Sequence, residues 1–402
     1  MTNYAHYLSL CPPTWEVQLK PVTAWSCAHG VDRWQDDCGC ARSEGYHQRW
    51  RRPLRQSLDW LRDQLSAIYE TEATPLFQDP WAARDAYVAV VGDRTQGDRF
   101  LAEVGRHPLS STEKIQALCL LEMQRHALLM YTSCGWFFEE LSRPEGVQIL
   151  CYAARAMELA LNLTGTELEP EFLARLAQAP SNLSDYGNGA EVYRQQVLPS
   201  RLRPEQIVAH HAMGTMHHRW PQAQDEPVAG SLSSLAMTTQ PLYCYDIETL
   251  DEQRQRLGTT RLAVGQIRLR SRLTQESGRY IFTVLHTGGL DFHCRVLAWG
   301  EDLPYQAKYE QLKRTLLALN LGNLSQVVLA LARELERAQC FELADLFPEV
   351  RQRMMPALRA RPCASSTSST VRSTRTMLLC CWPFGAMAIR RPRPSRWRPR
   401  WP

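Results

Sequence analysis

The chain of 402 residues is 44% hydrophobic, which predicts a globular protein of two or three domains and excludes a largely disordered one. Its formal net charge of +4 is unevenly distributed. Residues 357–402 hold ten arginines and no acidic residue, so the first 356 residues carry a net charge of −6. A mildly acidic folded body argues against a nucleic-acid-binding surface.

The sequence carries no recognisable targeting segment. The N-terminus MTNYAHYLSLCPPTW lacks the basic region and the long apolar region of a signal peptide, and no stretch of about 18 apolar residues predicts a membrane span. The thirteen cysteines are too sparse for the disulfide framework of a small secreted domain. We therefore expect a cytoplasmic protein with reduced thiols and no membrane partner.

The N-terminal half is expected to consist of an extended segment and a helical domain. Residues 1–44 contain a Pro-Pro break followed by the alternation CPPTWEVQL, which is typical of a strand. In residues 45–200, apolar side chains recur at helical spacing from Tyr46 to Glu70, and a further helix is expected near Pro80 to Val91.

Three more segments complete a predicted helical bundle. The first, LSSTEKIQALCLLEMQRHALLMYTSC, carries a buried stripe, and Ser111 or Thr112 is expected to cap it. The other two are GVQILCYAARAMELALNL and EPEFLARLAQA.

Residues 201–355 change to a period of two. Four segments predict an antiparallel sheet of about four strands: PLYCYDIETL, RLAVGQIRLRSRLT, GRYIFTVLHTGG and DFHCRVLAW. Helices are expected to return in YQAKYEQLKRTLLALN and NLSQVVLALARELERAQ and to pack on the sheet. The fold class predicted for the whole chain is therefore α+β, a helical bundle followed by a small antiparallel sheet packed with helices.

Residues 356–402 lack the periodicity of a folded domain. Their Arg-Pro repetition fits either a basic arm for nucleic acid or membrane, or GC-rich DNA read in a shifted frame. We favour the shifted frame, because the helix pattern ADLFPEVRQRMM is interrupted without a cap. The tail is expected to be disordered.

The stretch AWSCAHGVDRWQDDCGC concentrates potential metal ligands. Cys27, His29, Cys38 and Cys40 are of the types that Zn²⁺ prefers, and four ligands would complete a tetrahedron. The spacing, C-x-H and then C-x-C, departs from the C-x₂-C turns of common zinc sites, which favours the alternative of buried unpaired thiols. Zinc is the one cofactor that the residues suggest.

A second cluster follows a helix end in MYTSCGWFFEEL. The aromatic residues Trp136–Phe138 are either part of the core or a platform on which a sugar ring stacks while carboxylates accept its hydroxyl hydrogens. The candidate carboxylates Asp36, Asp37, Glu139 and Glu140 are neighbours in sequence and do not show the opposed pair, about 5 Å apart, that retaining glycoside hydrolysis requires. None of them is predicted to be catalytic.

Several long motifs resemble a known family. NYAHYLSLCPPTWEVQL, AWSCAHGVDRWQDDCGC, GYHQRWRRPLRQSLDWL, MYTSCGWFFEEL and FTVLHTGGLDFHCRVL are similar to the C-terminal half of glycoside hydrolase family 57 proteins that carry the domain of unknown function family 3536. The resemblance extends from Thr2 to about Met355. It implies an α-glucan-active retaining hydrolase or glucanotransferase, in which a helical domain closes the cleft of an N-terminal catalytic barrel.

The resemblance also implies roles for individual residues. The family's nucleophile and acid/base lie on the barrel, and the sequence is expected to begin after those segments, so we assign no catalytic residue and expect the chain alone to be inactive. Trp136 is similar to a tryptophan that reaches the sugar site, and Trp25 is expected near the seam with the barrel. With Trp34, Asp36 and Asp37, they are the candidate residues for binding an α-glucan or oligosaccharide.

Two further points bear on function. The family often has Ser-Asp-Trp where this chain has Cys134, Gly135 and Trp136, which puts any role of that aspartate in doubt. The alternative function, from a different class, is a metal-stabilised, non-enzymatic binding or scaffold protein organised by the cysteine and histidine cluster.

Overall fold

The computed structural model describes residues 4–18, 29–41, 43–218, 238–300, 305–318 and 338–346, with positions 326, 328, 330, 331, 333 and 335. The chain divides into two compact units, which we call the helical unit (Met1–Arg201 with Leu273–Gln275) and the sheet unit (Leu202–Arg272 with Glu276–Pro402). The fold class is α+β, as predicted. The expected disordered tail, residues 356–402, lies outside the described residues.

The N-terminal segment differs from the extended strand that the sequence predicts. Helix α1 spans Tyr4–Leu10, and residues 12–18 form neither helix nor strand. Within the described residues these positions pair with no neighbouring strand, and Trp15 and Val17 are 86% and 84% exposed. Alternation alone does not make a strand, because the backbone also needs a partner for its hydrogen bonds.

The helical unit is built around three long helices whose apolar faces meet. Its described helices are α2 (Arg51–Ala73), α3 (Pro80–Ala86), α4 (Val88–Gly92), α5 (Gly97–Val104), α6 (Ser111–Leu129), α7 (Cys134–Phe137), α8 (Pro144–Thr164), α9 (Glu169–Leu176) and α10 (Gly189–Val192). The stripe Leu54, Leu58, Leu61 and Leu65 on α2 is fully buried, as its spacing predicts. The single helix expected near residues 80–91 is two helices, α3 and α4.

Local capping sets the ends of these helices. Ser110 caps α6, rather than Ser111 or Thr112, because its Oγ accepts a hydrogen bond from Glu113 N and the Glu113 carboxylate accepts one from Ser110 N. Asp79 caps α3 in front of Pro80. Helix α8 ends at Gly165, whose φ of 72° lies in the left-handed region that favours glycine.

A buried polar cluster joins α6 to its neighbours. Oε1 of Glu122 accepts hydrogen bonds from the Tyr87 hydroxyl and from Arg94 Nη1, both at 2.7 Å, and Oε2 accepts one from Arg125 Nη1 at 3.1 Å. Nδ1 of the buried His126 lies 2.7 Å from the backbone oxygen of Glu122. Burial opposes the charge of Glu122, but the cations, Arg94 first, outweigh it and lower the pKa of this carboxyl.

The sheet unit contains a six-stranded antiparallel meander in the order β1-β2-β3-β4-β5-β6. The strands are β1 (Thr238–Leu242), β2 (Tyr245–Leu257), β3 (Thr260–Ser271), β4 (Ser277–Gly288), β5 (Asp291–Ala298) and β6 (Gln339–Glu342). The segment PLYCYDIETL, predicted to be one strand, instead spans the end of β1, the turn at Tyr243 and Cys244, and the first part of β2. The edge strands β1 and β6 are short, which explains why periodicity predicts four strands rather than six.

Helices cover both faces of this sheet. Helix α11 (Pro204–His218), which the sequence did not predict, packs Val208 and Met213 against one face, and helix α12 (Tyr305–Leu317) packs Tyr309 and Leu312 against the other. Strand β3 is therefore buried on both sides. Among the helices in the described ranges, none combines the length and apolar character that a membrane span needs.

Candidate functional site

Residues 29–41, called the clasp segment below, are the described part of the cysteine-rich stretch. A 3-10 turn spans Asp32–Trp34, and Asp37 Oδ1 then accepts a hydrogen bond from Gly39 N at 2.9 Å. Gly39 adopts a φ of 68°, which glycine allows at little steric cost. The sequence thus folds the segment into two successive tight turns.

Two buried arginines attach the clasp segment to the turn formed by Trp136–Phe138. Nε and Nη2 of Arg33 donate to the backbone oxygen of Phe137 at 3.2 and 2.8 Å. Arg51, which is 0% exposed, donates from Nη1 to the backbone oxygens of Arg33 at 2.6 Å and Trp136 at 2.5 Å. Its Nη2 donates to the backbone oxygen of Phe138 at 2.7 Å. These bonds satisfy loop carbonyl groups in the interior and hold the two segments together.

Trp136 faces protein rather than solvent. It is 1% exposed, and its ring stacks on Trp50 with centroids 6.3 Å apart and planes inclined by 23°. A Cβ atom at the neighbouring Gly135 would lie 2.5 Å from Cγ2 of Ile149. A larger residue at position 135 would therefore require the Ile149 side chain on α8 to move. In this structure Trp136 supports the turn and presents no open ring face to a ligand.

Several other side chains of the clasp segment are partly or fully exposed to solvent. Trp34 is partly exposed, and its backbone oxygen accepts a hydrogen bond from Arg55 Nη1 at 3.3 Å. Asp36 forms a two-pronged ion pair with Arg52, which lowers the pKa of its carboxyl through the hydrogen bond. A carboxyl that is ionised at neutral pH is unsuited to act as a general acid. Asp37 is exposed beside it.

The carboxylates that follow the aromatic cluster accept hydrogen bonds from residues of neighbouring loops. Glu140 is buried, and its two oxygens accept hydrogen bonds from the Ser181 hydroxyl and from Asn182 N, both at 2.7 Å. Oε2 of Glu139 accepts a hydrogen bond from Ser43 N at 3.1 Å. Both carboxylates therefore stabilise the loops that they contact.

The structure brings together two of the four predicted metal ligands. Sγ of Cys40 lies 3.3 Å from Nδ1 of His29, so the two ends of the clasp segment meet. Cys38 is buried. Across the described residues, no three histidine, cysteine or acidic side chains are arranged to hold a metal ion. Cys27 lies outside those residues, as does the predicted glucan-binding Trp25.

Sequence reasoning missed the two arginines that hold the clasp segment. One signal could have revealed Arg51. It precedes Leu54 by three residues and Leu58 by seven, so helical spacing places it on the buried face of α2. A cation on a buried stripe must find acceptors, and loop carbonyl oxygens are the ones it finds here.

Fold and site together define an α+β protein whose helical unit carries a surface loop, fixed by buried arginines, with partly exposed aromatic and acidic side chains. Residues 46–347 match the family model described as "Domain of unknown function (DUF3536)", which covers more than half of the chain. The chain belongs to this family, and the match begins after the clasp segment. Neither the curated proteins nor the solved structures contain a match.

Proposed function

We propose that the chain supplies the helical lid of a cytoplasmic, α-glucan-active retaining hydrolase or glucanotransferase. In this proposal the nucleophile and acid/base belong to a catalytic barrel outside the sequence given, and the helical unit binds the glucan. The resemblance of the long motifs to family 57 proteins that carry the DUF3536 domain supports it. The match to the DUF3536 family agrees with that resemblance but assigns no activity.

One observation carries the proposal. The partly exposed indole of Trp34 lies on the same short segment as the carboxylates of Asp36 and Asp37, and buried arginines fix that segment. An aromatic face with adjacent acceptors is the usual arrangement for binding a sugar, and a fixed backbone lowers the entropy that binding costs. Trp34 takes the stacking role that the resemblance gives to the buried Trp136.

The lid would contribute to catalysis without taking part in a covalent step. Retaining chemistry proceeds by attack of one carboxylate on the anomeric carbon and protonation of the leaving oxygen by a second, at a separation of about 5 Å. Asp36 is engaged by Arg52, and Asp37 lies exposed on a turn. The part left to the lid is to bind the glucan and to exclude water from the cleft.

The glucan-binding role is tested with the full chain by calorimetry with maltoheptaose and by affinity electrophoresis in amylopectin gels. We expect measurable binding, no release of reducing sugar, and an affinity about tenfold lower in Trp34→Ala because a stacking face is lost. The matched control is Trp81→Ala, since Trp81 is another partly exposed tryptophan of the helical unit. Equal affinities of wild type and Trp34→Ala, or turnover abolished by Asp37→Asn, would contradict the proposal.

A second candidate function, a metal-stabilised binding or scaffold protein, is favoured by the contact between Cys40 and His29. A zinc ion bound by these two residues with Cys38 and Cys27 would cross-link the segment.

Elemental analysis of the purified chain tests this candidate. One zinc per chain is expected, and Cys38→Ser should lose both the metal and the folded segment, because metal binding then supplies folding free energy. Cys119→Ser, a change at a buried cysteine of α6, is the control. A metal-free and fully folded wild-type chain rejects this second function.

A further inference from the structure

We propose that the glucan-binding surface extends from the clasp segment along α2 through Arg55, Asp59 and Tyr131, which together form a preorganised contact for a further sugar unit. The inference rests on the proposed function, because it names additional contacts for the same ligand.

Arg55 connects this surface to the clasp segment. Its Nη1 donates to the backbone oxygen of Trp34 at 3.3 Å, and its Nε lies 3.0 Å from each oxygen of Asp59. The guanidinium carbon lies 4.9 Å from the centre of the Tyr131 ring. Contacts on three sides hold the guanidinium plane in one orientation, whereas an ordinary surface arginine must lose side-chain entropy when it binds a ligand.

Asp59 and Tyr131 are fixed by the same network. Oδ1 of Asp59 accepts hydrogen bonds from the Tyr131 hydroxyl at 2.7 Å and from Arg62 Nη1 at 2.9 Å. Burial, assisted by the bond to Asp59, raises the pKa of the Tyr131 phenol. The hydroxyl therefore keeps its proton and remains a donor at physiological pH.

These groups are ordered but still accessible. The side chains of Arg55 and Asp59 are each 32% exposed, and Tyr131 is partly exposed. Within the described ranges, no hydrogen bond uses Nη2 of Arg55. The surface thus offers donors, a carboxylate and an aromatic ring, and Arg55 links it to the backbone of Trp34.

Charge balance decides which class of ligand this surface suits. The exposed Asp37 adds a negative charge to three arginines and three aspartates that are paired with one another: Arg52, Arg55, Arg62, Asp36, Asp59 and Asp63. A polyanion would gain no net attraction here. A neutral chain of sugars uses both kinds of group, because a planar guanidinium donates to neighbouring hydroxyl oxygens while a carboxylate accepts from neighbouring hydroxyl groups.

Calorimetry of the full chain with maltoheptaose tests the extended surface. Arg55→Lys keeps the charge but loses the planar fork, and we expect its affinity to fall about tenfold. Tyr131→Phe keeps the ring but removes the bond that orients Asp59, and we expect a fall of about threefold to tenfold. The control is Arg99→Lys on α5, because Arg99 forms a comparable ion pair with the residue four positions on, Glu103.

The outcomes separate this inference from the proposed function. If Trp34→Ala weakens binding while Arg55→Lys and Tyr131→Phe match the control, the extended surface is wrong and the proposed function stands. If the wild-type chain binds neither maltoheptaose nor amylopectin, the proposed function itself fails. Tighter binding of heparin than of maltoheptaose would overturn the assignment to a neutral sugar. Circular dichroism of each variant confirms that the helices are retained.

Discussion

Replacing Arg51 by methionine is expected to lower the free energy of unfolding by about 4 kcal/mol. The change removes the donors that satisfy the backbone oxygens of Arg33, Trp136 and Phe138 in the interior. Each buried acceptor left without a partner costs about 1–3 kcal/mol, partly offset because a buried charge is also removed. Urea denaturation followed by tryptophan fluorescence measures the loss, since Trp50 and Trp136 both lie beside this arginine.

The neighbouring residue provides the control for this prediction. Arg52→Met removes an exposed arginine that pairs with Asp36, and exposed ion pairs contribute little to stability. We also expect trypsin to cleave the clasp segment faster in Arg51→Met than in Arg52→Met. Equal stability of the two variants would contradict the view that Arg51 fixes this segment.

Lowering the pH from 7.5 to 5 is expected to reduce the free energy of unfolding by about 2 kcal/mol through His126 alone. Burial lowers the pKa of this ring from 6.5 to about 4, against the attraction of Glu122 and with the repulsion of Arg155 and Arg125. Below pH 6.5 the His126 ring is protonated in the unfolded chain, whereas in the folded chain it is protonated only below about pH 4. Stability therefore falls as the pH falls through this window.

Stability curves of wild type and His126→Gln between pH 7.5 and 5 measure this effect. The variant should show a flatter curve whatever its absolute stability. Protonation of Glu122 does not produce the difference in slope between pH 7.5 and 5. Its lowered pKa means that its contribution is present above pH 4.5 and is lost only below that value. An unchanged slope in His126→Gln would show that the ring has the same pKa in the folded and the unfolded chain, which would contradict the prediction.

The two stability predictions bear on the proposed function in different ways. Arg51 holds the clasp segment, so its loss should weaken glucan binding together with stability. His126 lies in the interior between α6 and α8, and its ring is 6.0 Å from that of Tyr152. Its protonation should lower the stability of the helical unit before it changes the binding surface.

Several elements of the fold could be predicted because their signals are local. The leucine stripe of α2 and the alternation of β3 and β4 depend only on residue spacing, and both elements are present. Elements that depend on a partner were predicted less well. The CPPTWEVQL segment alternates but is not a strand. Helix α11 was missed because the histidine pairs His210–His211 and His217–His218 interrupt its apolar pattern.

The candidate site also has features that the sequence predicted and features that depend on contacts between distant segments. Composition identified the cysteine-rich stretch and the aromatic turn as the chemically unusual parts of the chain. Their relationship could not be read from residue spacing, because Arg33 and Phe137 are 104 positions apart and meet only when α2 and α8 pack. The predicted stacking residue Trp136 turned inward for the same reason, as its ring packs on Trp50.

The sequence by itself determined the fold class, the main helices and central strands, and the family resemblance on which the glucan hypothesis depends. These properties follow from periodicity and from motifs, which require no knowledge of contacts. Only the tertiary structure decided which side chains face solvent and that two arginines hold the clasp segment. It also decided that Arg55, Asp59 and Tyr131 form one network, which Arg55 joins to the backbone of Trp34. Burial and pairing depend on distant segments packing together, and spacing along the chain does not encode that directly.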